Sequence, residues 1–157
     1  MSDKRSAGLL LFRVADPGLE VLIGHMGGPF WAAKDAGAWS IPKGEYGPQE
    51  LPEAAAYREF EEELGVPPPD GERIPLGESV QRNGKIVTIW AVEGDVDPDR
   101  IVPGTFRMEW PPRSGVLCEF PEIDRVGWFS PERAGQLLVP GQRVFLDRLR
   151  TFLDGGR

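Results

Sequence analysis

Seven glutamates fall within the 23 residues from Gly44 to Val66, GEYGPQELPEAAAYREFEEELGV. A helix predicted over about residues 52–64 turns about 100° per residue, so Glu59, Glu62 and Glu63 share an arc of roughly 100°. Like charges on one helix face repel each other. The segment is therefore either a solvated acidic face or a group of acids that bind something positive.

The neighbouring arc of the same helix is apolar. Ala56, Phe60 and Leu64 predict that the helix docks on a sheet, which leaves the acids at the margin of the core. Carboxylates in that position are destabilised unless they are protonated or neutralised by a cation. Mg²⁺ prefers oxygen ligands and keeps several waters, with Mn²⁺ able to substitute. Because the chain has one histidine and one cysteine, zinc is disfavoured.

Apolar runs and turn signals predict the elements around this helix. The runs SAGLLLFRV and LEVLIGH predict two strands joined by a turn at Asp16-Pro17-Gly18, and AWSIP predicts a short strand. Asn83-Gly84 predicts a β-hairpin. The proline- and glycine-rich residues 95–115 predict a long irregular loop. DRVGWFS then predicts a last strand, and PERAGQLL and QRVFLDRLRTFLD predict two helices.

Length, charge and hydropathy limit the classes of function. The 157 residues predict a single domain over positions 1–157, and the net charge of −7 disfavours binding to long nucleic acids. No apolar run approaches the roughly 18 residues of a membrane span, and MSDKR is not followed by the apolar core of a signal peptide. A single cysteine fits a reducing compartment. These features together predict a cytoplasmic protein.

The glutamate-rich stretch resembles the Nudix box, the signature of hydrolases that cleave nucleoside diphosphates linked to another moiety. The resemblance covers 23 of the 157 residues. It implies an α/β (α+β) fold, the Nudix-type α/β/α sandwich with a central mixed β-sheet. Nine residues fill every place that the box specifies: Gly44, Glu50, Arg58, Glu59, Phe60, Glu62, Glu63, Gly65 and Val66.

The resemblance also implies roles for the box residues. Glu59, Glu62 and Glu63 match the family's metal-binding acids, and the position of Glu62 is often described as orienting or deprotonating the attacking water. Arg58 is expected to pair with Glu50, since a guanidinium and a carboxylate match as bidentate partners. Glu50 is therefore a structural position of the box, and Gly65, which ends the helix, is another.

Two further metal-site positions follow from the resemblance. Gly44 gives backbone freedom at the loop entry, and its carbonyl is expected to reach the metal. The family often takes one more acid from a later loop, just before a strand that carries a tryptophan. Glu122, ahead of Trp128, is favoured over Glu119 and Asp124, with a plain surface acid as the alternative.

Basic and aromatic residues outside the box are candidates for substrate binding. Lys43 adjoins the box, Lys34 lies in the loop before it, and Arg107 and Arg113 lie in the long loop. Trp31 could provide a face on which a base stacks. Each cation alone is equally consistent with a solvated surface position, but together they favour a polyphosphate substrate.

The expected activity is Mg²⁺-dependent hydrolysis of a phosphoanhydride in a nucleoside polyphosphate, either an NTP or a dinucleoside polyphosphate. The loops around the box are similar to those of a bacterial Nudix branch labelled predicted NTP pyrophosphohydrolase. Three alternatives stay open: a diphosphoinositol polyphosphate hydrolase, a nucleotide-sugar hydrolase and a non-catalytic nucleotide-binding sensor. The expected partner is a small nucleotide or polyphosphate without membrane or long nucleic acid, and a homodimer is a family-level expectation.

Overall fold

The computed structural model describes residues 4–15 and 18–155, so the predicted turn residues Asp16 and Pro17 lie outside it. No helix in these ranges has the length and apolar character needed to cross a membrane. The described strands are β1 (Arg5–Ala15), β2 (Gly18–Met26), β3 (Trp39–Ser40), β4 (Lys43–Tyr46), β5 (Ile74–Val80), β6 (Ile86–Glu93), β7 (Thr105–Glu109), β8 (Leu117–Pro121) and β9 (Ile123–Phe129). The described α-helices are α1 (Pro52–Leu64), α2 (Pro131–Leu137) and α3 (Val144–Gly155).

Strand β1 organises the main sheet, which has seven strands among the described residues. Along one edge β1 pairs in parallel with β6, and along the other it pairs antiparallel with β4 and β2. Strands β3 and β9 flank β2, and β5 pairs with β6. The combination of one parallel pair with antiparallel pairs confirms the predicted mixed sheet.

Helices cover both faces of this sheet. Successive side chains of a strand point to opposite faces, and Leu9 and Leu11 of β1 pack in a cluster with Phe60 of α1. Leu10 packs in a second cluster with residues of α2 and α3, including Phe145. Because β1 is buried on both faces, its sequence is a continuous apolar run rather than an alternating one. This layering confirms the α/β/α sandwich.

One strand was not predicted and one local prediction was wrong. The residues that lead into α1, KGEY, form the unpredicted strand β4 and pair with Arg5–Gly8 of β1. The predicted irregular loop over residues 95–115 contains a 3-10 turn at Pro98–Arg100 and strand β7, which pairs with β8 in a separate two-stranded sheet. Among the described residues, these two strands pair with each other alone and are largely exposed. Their residues therefore form no apolar run, and the flanking prolines and glycines are the strongest signal in the sequence.

Candidate active site

The acidic helix α1 has unequal ends. Its N-cap residue, Leu51, is 76% exposed and makes no side-chain capping bond. At the other end Gly65 takes a left-handed conformation with φ of 71°, and its N–H donates to the carbonyl of Glu61 at 2.8 Å. A Cβ at Gly65 would overlap the carbonyl oxygen of Val102. Glycine is therefore required here both by backbone conformation and by the close approach of a neighbouring segment.

The acids of α1 differ in how deeply their side chains are buried. Glu59 lies close to the core, with 13% of its side chain exposed, whereas 58% of the Glu62 side chain is exposed. Glu63 is half-buried, and its Oε1 accepts a hydrogen bond from the backbone N–H of Lys43 at 3.1 Å. Glu61 is exposed.

Arg58 links the loop before α1 to the acids on it. Its Nε and Nη2 donate to the two carboxylate oxygens of Glu50, each at 2.8 Å, which is the expected bidentate pair. Its Nη1 donates to Glu59 Oε2 at 2.8 Å and to Glu62 Oε2 at 3.1 Å. These bonds raise the pKa of Arg58 and lower that of Glu50. The guanidinium therefore stays charged and fixes the positions of three carboxylates.

Burial disfavours the charged forms of the two inner acids. It raises the pKa of Glu63 to about 8, an effect opposed by the nearby Lys43 and reinforced by the charges of Glu122 and Glu59. Burial also raises the pKa of Glu59, against the opposing bond from Arg58. Two carboxyl groups at the core margin therefore lie in environments that disfavour their negative charge when no cation neutralises it.

The structure distinguishes the three candidates for the additional acid. Glu122 lies between β8 and β9, and its negative charge raises the pKa of both Glu59 and Glu63. Asp124 is instead bound by the ring of His25, with Nδ1 3.0 Å from Oδ1. Glu119 accepts a hydrogen bond from Thr105 on the neighbouring strand. Of the three, Glu122 is the one that adjoins the helix acids.

The donor set fits a hard divalent cation chemically, because every candidate ligand atom is an oxygen. Within the described ranges, no three acidic, histidine or cysteine side chains converge on a single point. Arg58 Nη1 and the N–H of Lys43 bind the helix carboxylates instead. Gly44 lies directly against this group, since a Cβ there would overlap Glu59 Oε1. The missing side chain leaves the Gly44 backbone beside the acids.

A cavity of about 520 Å³ adjoins Lys43 of β4. Lys43, whose N–H binds Glu63, contributes to its lining together with Trp31 and the turn between β5 and β6. Of the described residues that line it, three are basic and none is acidic, although the chain as a whole is acidic. The basic residues are Lys43, Arg82 and Lys85.

A second, smaller cavity of about 290 Å³ opens beside Glu122. Its lining includes Phe106 of β7 as well as Met26 and Trp31, and the last two also line the larger cavity. Trp31 packs edge-to-face against Phe30, with 4.8 Å between ring centroids. The two cavities therefore share Met26 and Trp31 in their linings, and Glu122 lines the smaller one.

The other predicted substrate residues line neither of these cavities. The ammonium of Lys34 lies 3.7 Å from the ring centroid of Phe30, on the loop that carries Trp31. Arg107 is exposed and alternates along β7 with Phe106, so it projects from the face opposite the smaller cavity. Arg113 is exposed at the tip of the β7–β8 hairpin. The structure thus brings Lys43 and Trp31 to the cavities and keeps both arginines on the hairpin.

Several residues at the site were not predicted from the sequence. Arg82 and Lys85 flank the hairpin signal Asn83-Gly84, which indicated a turn without indicating what the turn would face. Gln142 is buried, and its Oε1 accepts the N–H of Ile41 at 2.8 Å, across 101 positions of the chain. No local pattern predicts a contact between residues so far apart.

Comparison with known proteins gives a family match and partial relatives. A model described as the NUDIX domain matches residues 4–149. The RNA pyrophosphohydrolases of Cellvibrio japonicus (strain Ueda107) and Alkalilimnicola ehrlichii are 43% identical over 54 residues and 40% identical over 58 residues. These matches cover 33% and 36% of this chain and 32% of each relative. The chain therefore matches about a third of the length of these relatives.

Solved structures share the fold over nearly the whole chain. An Ap4A hydrolase binary complex from C. elegans superposes with a TM-score of 0.68 at 20% identity, covering 97% of this chain and 98% of the other. The NUDIX domain of Shewanella oneidensis NrtR, crystallised with ADP ribose, superposes with a TM-score of 0.63 at 16% identity and covers 98% and 90%. At these identities the likeness establishes a common fold.

Proposed function

The chain belongs to the NUDIX domain family, and from this premise we propose that it hydrolyses a phosphoanhydride linkage in a nucleoside polyphosphate, an NTP or a dinucleoside polyphosphate. The observation that carries the proposal is the position of the acids. The charge of Glu122 raises the pKa of both Glu59 and Glu63, and Lys43, whose N–H binds Glu63, lines a cavity with other basic residues. The relatives named RNA pyrophosphohydrolase support chemistry at a pyrophosphate linkage.

The proposed cofactor is Mg²⁺, with Mn²⁺ as a substitute. Its candidate ligands are the carboxylates of Glu59, Glu62, Glu63 and Glu122 and the carbonyl of Gly44. When bound, a hard divalent ion lowers the pKa of a coordinated water and neutralises charge on phosphate oxygens. Burial disfavours the ionised form of Glu63 in the free protein, and a bound divalent ion would neutralise that charge once the proton has left.

The chain's own residues take separate roles in this proposal. Glu62 is the most exposed of the three helix acids on its arc and lies where water can reach it, so it orients the attacking water and receives its proton. Arg58 is a positioning residue, because its bidentate pair with Glu50 orients its Nη1 towards Glu59 and Glu62. Lys43 adjoins both the acids and the cavity and binds a substrate phosphate.

A non-catalytic sensor and two other hydrolase classes are the alternatives. A sensor needs nucleotide binding without turnover, and loss of box acids is the usual mark of that role, whereas this chain retains all of them. A long RNA is disfavoured as a partner by the net charge of −7. A short 5′-triphosphorylated RNA nevertheless belongs in the substrate panel because of the names of the partial relatives.

The test is turnover by the purified protein with Mg²⁺ or Mn²⁺. The panel contains NTPs, dinucleoside polyphosphates, nucleotide sugars, inositol pyrophosphates and a 5′-triphosphorylated RNA oligonucleotide. We expect one class to be hydrolysed, and we expect Glu62→Gln to lower kcat by about 10² to 10⁴, the range typical for loss of a general base.

Glu61→Gln is the matched control, because Glu61 neighbours Glu62 on α1 but is exposed on another side of the helix. It should keep kcat within about twofold of the wild-type value, since a solvated carboxylate away from the reacting atoms contributes little. Circular dichroism and thermal unfolding verify that both variants fold. Nucleotide binding without turnover of any panel member would identify a sensor and refute the proposed hydrolase.

A further inference from the structure

The turn between β5 and β6, residues 81–85, brings positive charge to the larger cavity. Arg82 and Lys85 from this turn join Lys43 in the lining. The chain has 25 acidic and 18 basic residues, so a cavity wall with basic residues and no acid among its described members runs against the overall composition. A low-dielectric wall focuses the field of such charges into the cavity, which favours an anionic occupant.

The turn is held in a fixed shape. The N–H of Gln81 donates to the carbonyl of Lys85 at 2.7 Å, and the N–H of Gly84 donates to the carbonyl of Gln81 at 2.9 Å. Gly84 has a φ of 87°, which a glycine adopts without strain. The side-chain amide of Gln81 also donates to the carbonyl of Gly141 at 3.2 Å, across the cavity wall. Because the backbone of the turn is already fixed by these bonds, little conformational entropy is lost when its cations bind a ligand.

The cations of the turn are available for a ligand. Arg82 is exposed, and Lys85 Nζ lies 2.7 Å from Glu45 Oε2 in a pair whose side chains are 37% and 50% exposed. A solvated pair of this kind contributes little to stability. Phosphate oxygens can therefore compete with Glu45 for Lys85, and Glu45 acts as a weak internal competitor.

The position of Lys43 relates this turn to the reaction. Its N–H binds Glu63 among the candidate catalytic acids, while its side chain lines the same cavity as Arg82 and Lys85. We propose that Arg82 and Lys85 form a subsite for phosphates beyond the linkage that is cleaved, so that the chain prefers substrates with three or more consecutive phosphates. This inference rests on the proposed function and specifies its substrate class.

The test compares dinucleoside substrates that differ only in the number of bridging phosphates, from two to five. For the double variant Arg82→Gln, Lys85→Met we expect KM to rise about tenfold or more on tetra- and pentaphosphates, as for the loss of charge-assisted bonds. We expect kcat to stay within about twofold, since these groups bind ground state and transition state alike. The diphosphate should show unchanged kinetics.

Two further variants make the test specific. Arg100→Gln removes an exposed charge from another segment, with 82% of its side chain exposed, and should leave every substrate unaffected. Glu45→Gln removes the competitor for Lys85 and should lower KM for the long substrates. Equal effects of the double variant on all chain lengths, or no effect on any, would refute the subsite.

A binding experiment separates this inference from the proposed function. Tripolyphosphate is titrated calorimetrically into the wild type and into the double variant. If the wild type hydrolyses no substrate, the proposed function fails, and loss of tripolyphosphate binding in the double variant still supports the subsite. If the wild type is active but both proteins bind tripolyphosphate equally, the subsite fails and the proposed function stands.

Discussion

At the scale of single residues, the helix acids illustrate what sequence can predict. The spacing of Glu59, Glu62 and Glu63 fixes their common arc as soon as the segment is helical, because helix geometry is local. Their different environments are not local properties. Glu63 is half-buried because β4 runs beside it and the N–H of Lys43 binds it, and that strand was missed in the sequence.

The pKa of Glu63 predicts how the stability of the metal-free protein depends on pH. Its folded-state pKa of about 8 lies above the ordinary 4.5, so between these values the unfolded chain releases a proton that the folded chain keeps. The free energy of unfolding should therefore fall as pH rises from 4.5 to 8, at about 1.4 kcal/mol for each unit of pKa difference. The lowered pKa of Glu50 affects the free energy of unfolding only at pH values below this range.

Urea unfolding with a chelator present, at pH 5, 6.5 and 8, measures this effect. Glu63→Gln cannot ionise, so it should be more stable than the wild type at pH 8 by several kcal/mol and nearly equal to it at pH 5. Glu61→Gln, which alters an exposed acid on the same helix, should follow the wild-type curve. Parallel curves for the wild type and Glu63→Gln would contradict the argument.

At the scale of elements, contacts between distant segments build the cavity. Gln142 lies in the 3-10 turn Pro140–Gln142 and binds β3: its Oε1 accepts the N–H of Ile41, and its Nε2 donates to Ser40 Oγ at 3.0 Å. Ser79 of β5 donates to Gly141 in the same turn at 2.8 Å. These bonds join the wall of the cavity to the sheet, and periodicity within each segment gives no indication of them.

Gln142→Leu should destabilise the protein despite the similar size and greater hydrophobicity of leucine. The substitution leaves the buried N–H of Ile41 without its acceptor, and a buried unsatisfied group costs about 1 to 3 kcal/mol. It also removes the bond that Ser40 Oγ accepts, although that hydroxyl still donates to the carbonyl of Ile41. We expect the free energy of unfolding to fall by about 2 to 4 kcal/mol in urea titrations.

The matched control is Gln136→Leu, because Gln136 is exposed on α2 and bonds only to the exposed Arg133 among the side-chain contacts of the described residues. It should change the free energy of unfolding by no more than about 0.5 kcal/mol. A loss as large as that of Gln142→Leu would show that hydrophobic substitution itself, rather than the buried bonds, is responsible.

The two-stranded sheet shows why other elements were missed. Residues of β7 and β8 alternate between exposed and half-buried positions, and the strands bond to each other rather than to the main sheet. Proline and glycine flank them closely, and those residues indicated a loop. The strands of the main sheet were easier to predict because burial on both faces gives β1 an uninterrupted apolar run.

At the scale of the whole molecule, charge is distributed unevenly. A net charge of −7 repels anionic ligands at long range, whereas the basic lining of the larger cavity attracts them at short range. In the metal-free protein, the acids on α1 add to this repulsion. Any salt screens the self-repulsion of the chain, so a specific ion effect has to be measured against a matched ionic strength.

Mg²⁺ should raise the melting temperature more at pH 8 than at pH 5.5. An ion that binds only the folded state at about 100 times its Kd stabilises by about 2.7 kcal/mol, which corresponds to about 5 to 10 °C for a chain of this size. Binding must displace the proton of Glu63, whose pKa is raised to about 8, so the shift shrinks as pH falls.

Scanning calorimetry with MgCl₂ against NaCl of equal ionic strength isolates this effect from screening of the −7 charge. Glu122→Gln tests the fourth acid: if Glu122 is a ligand, the variant should show a smaller Mg²⁺ shift than the wild type at the same ion concentration. Glu119→Gln is its control, because that carboxylate binds Thr105 instead. Identical shifts in MgCl₂ and NaCl would mean that the acids respond only to ionic strength, and the proposed ion site would be wrong.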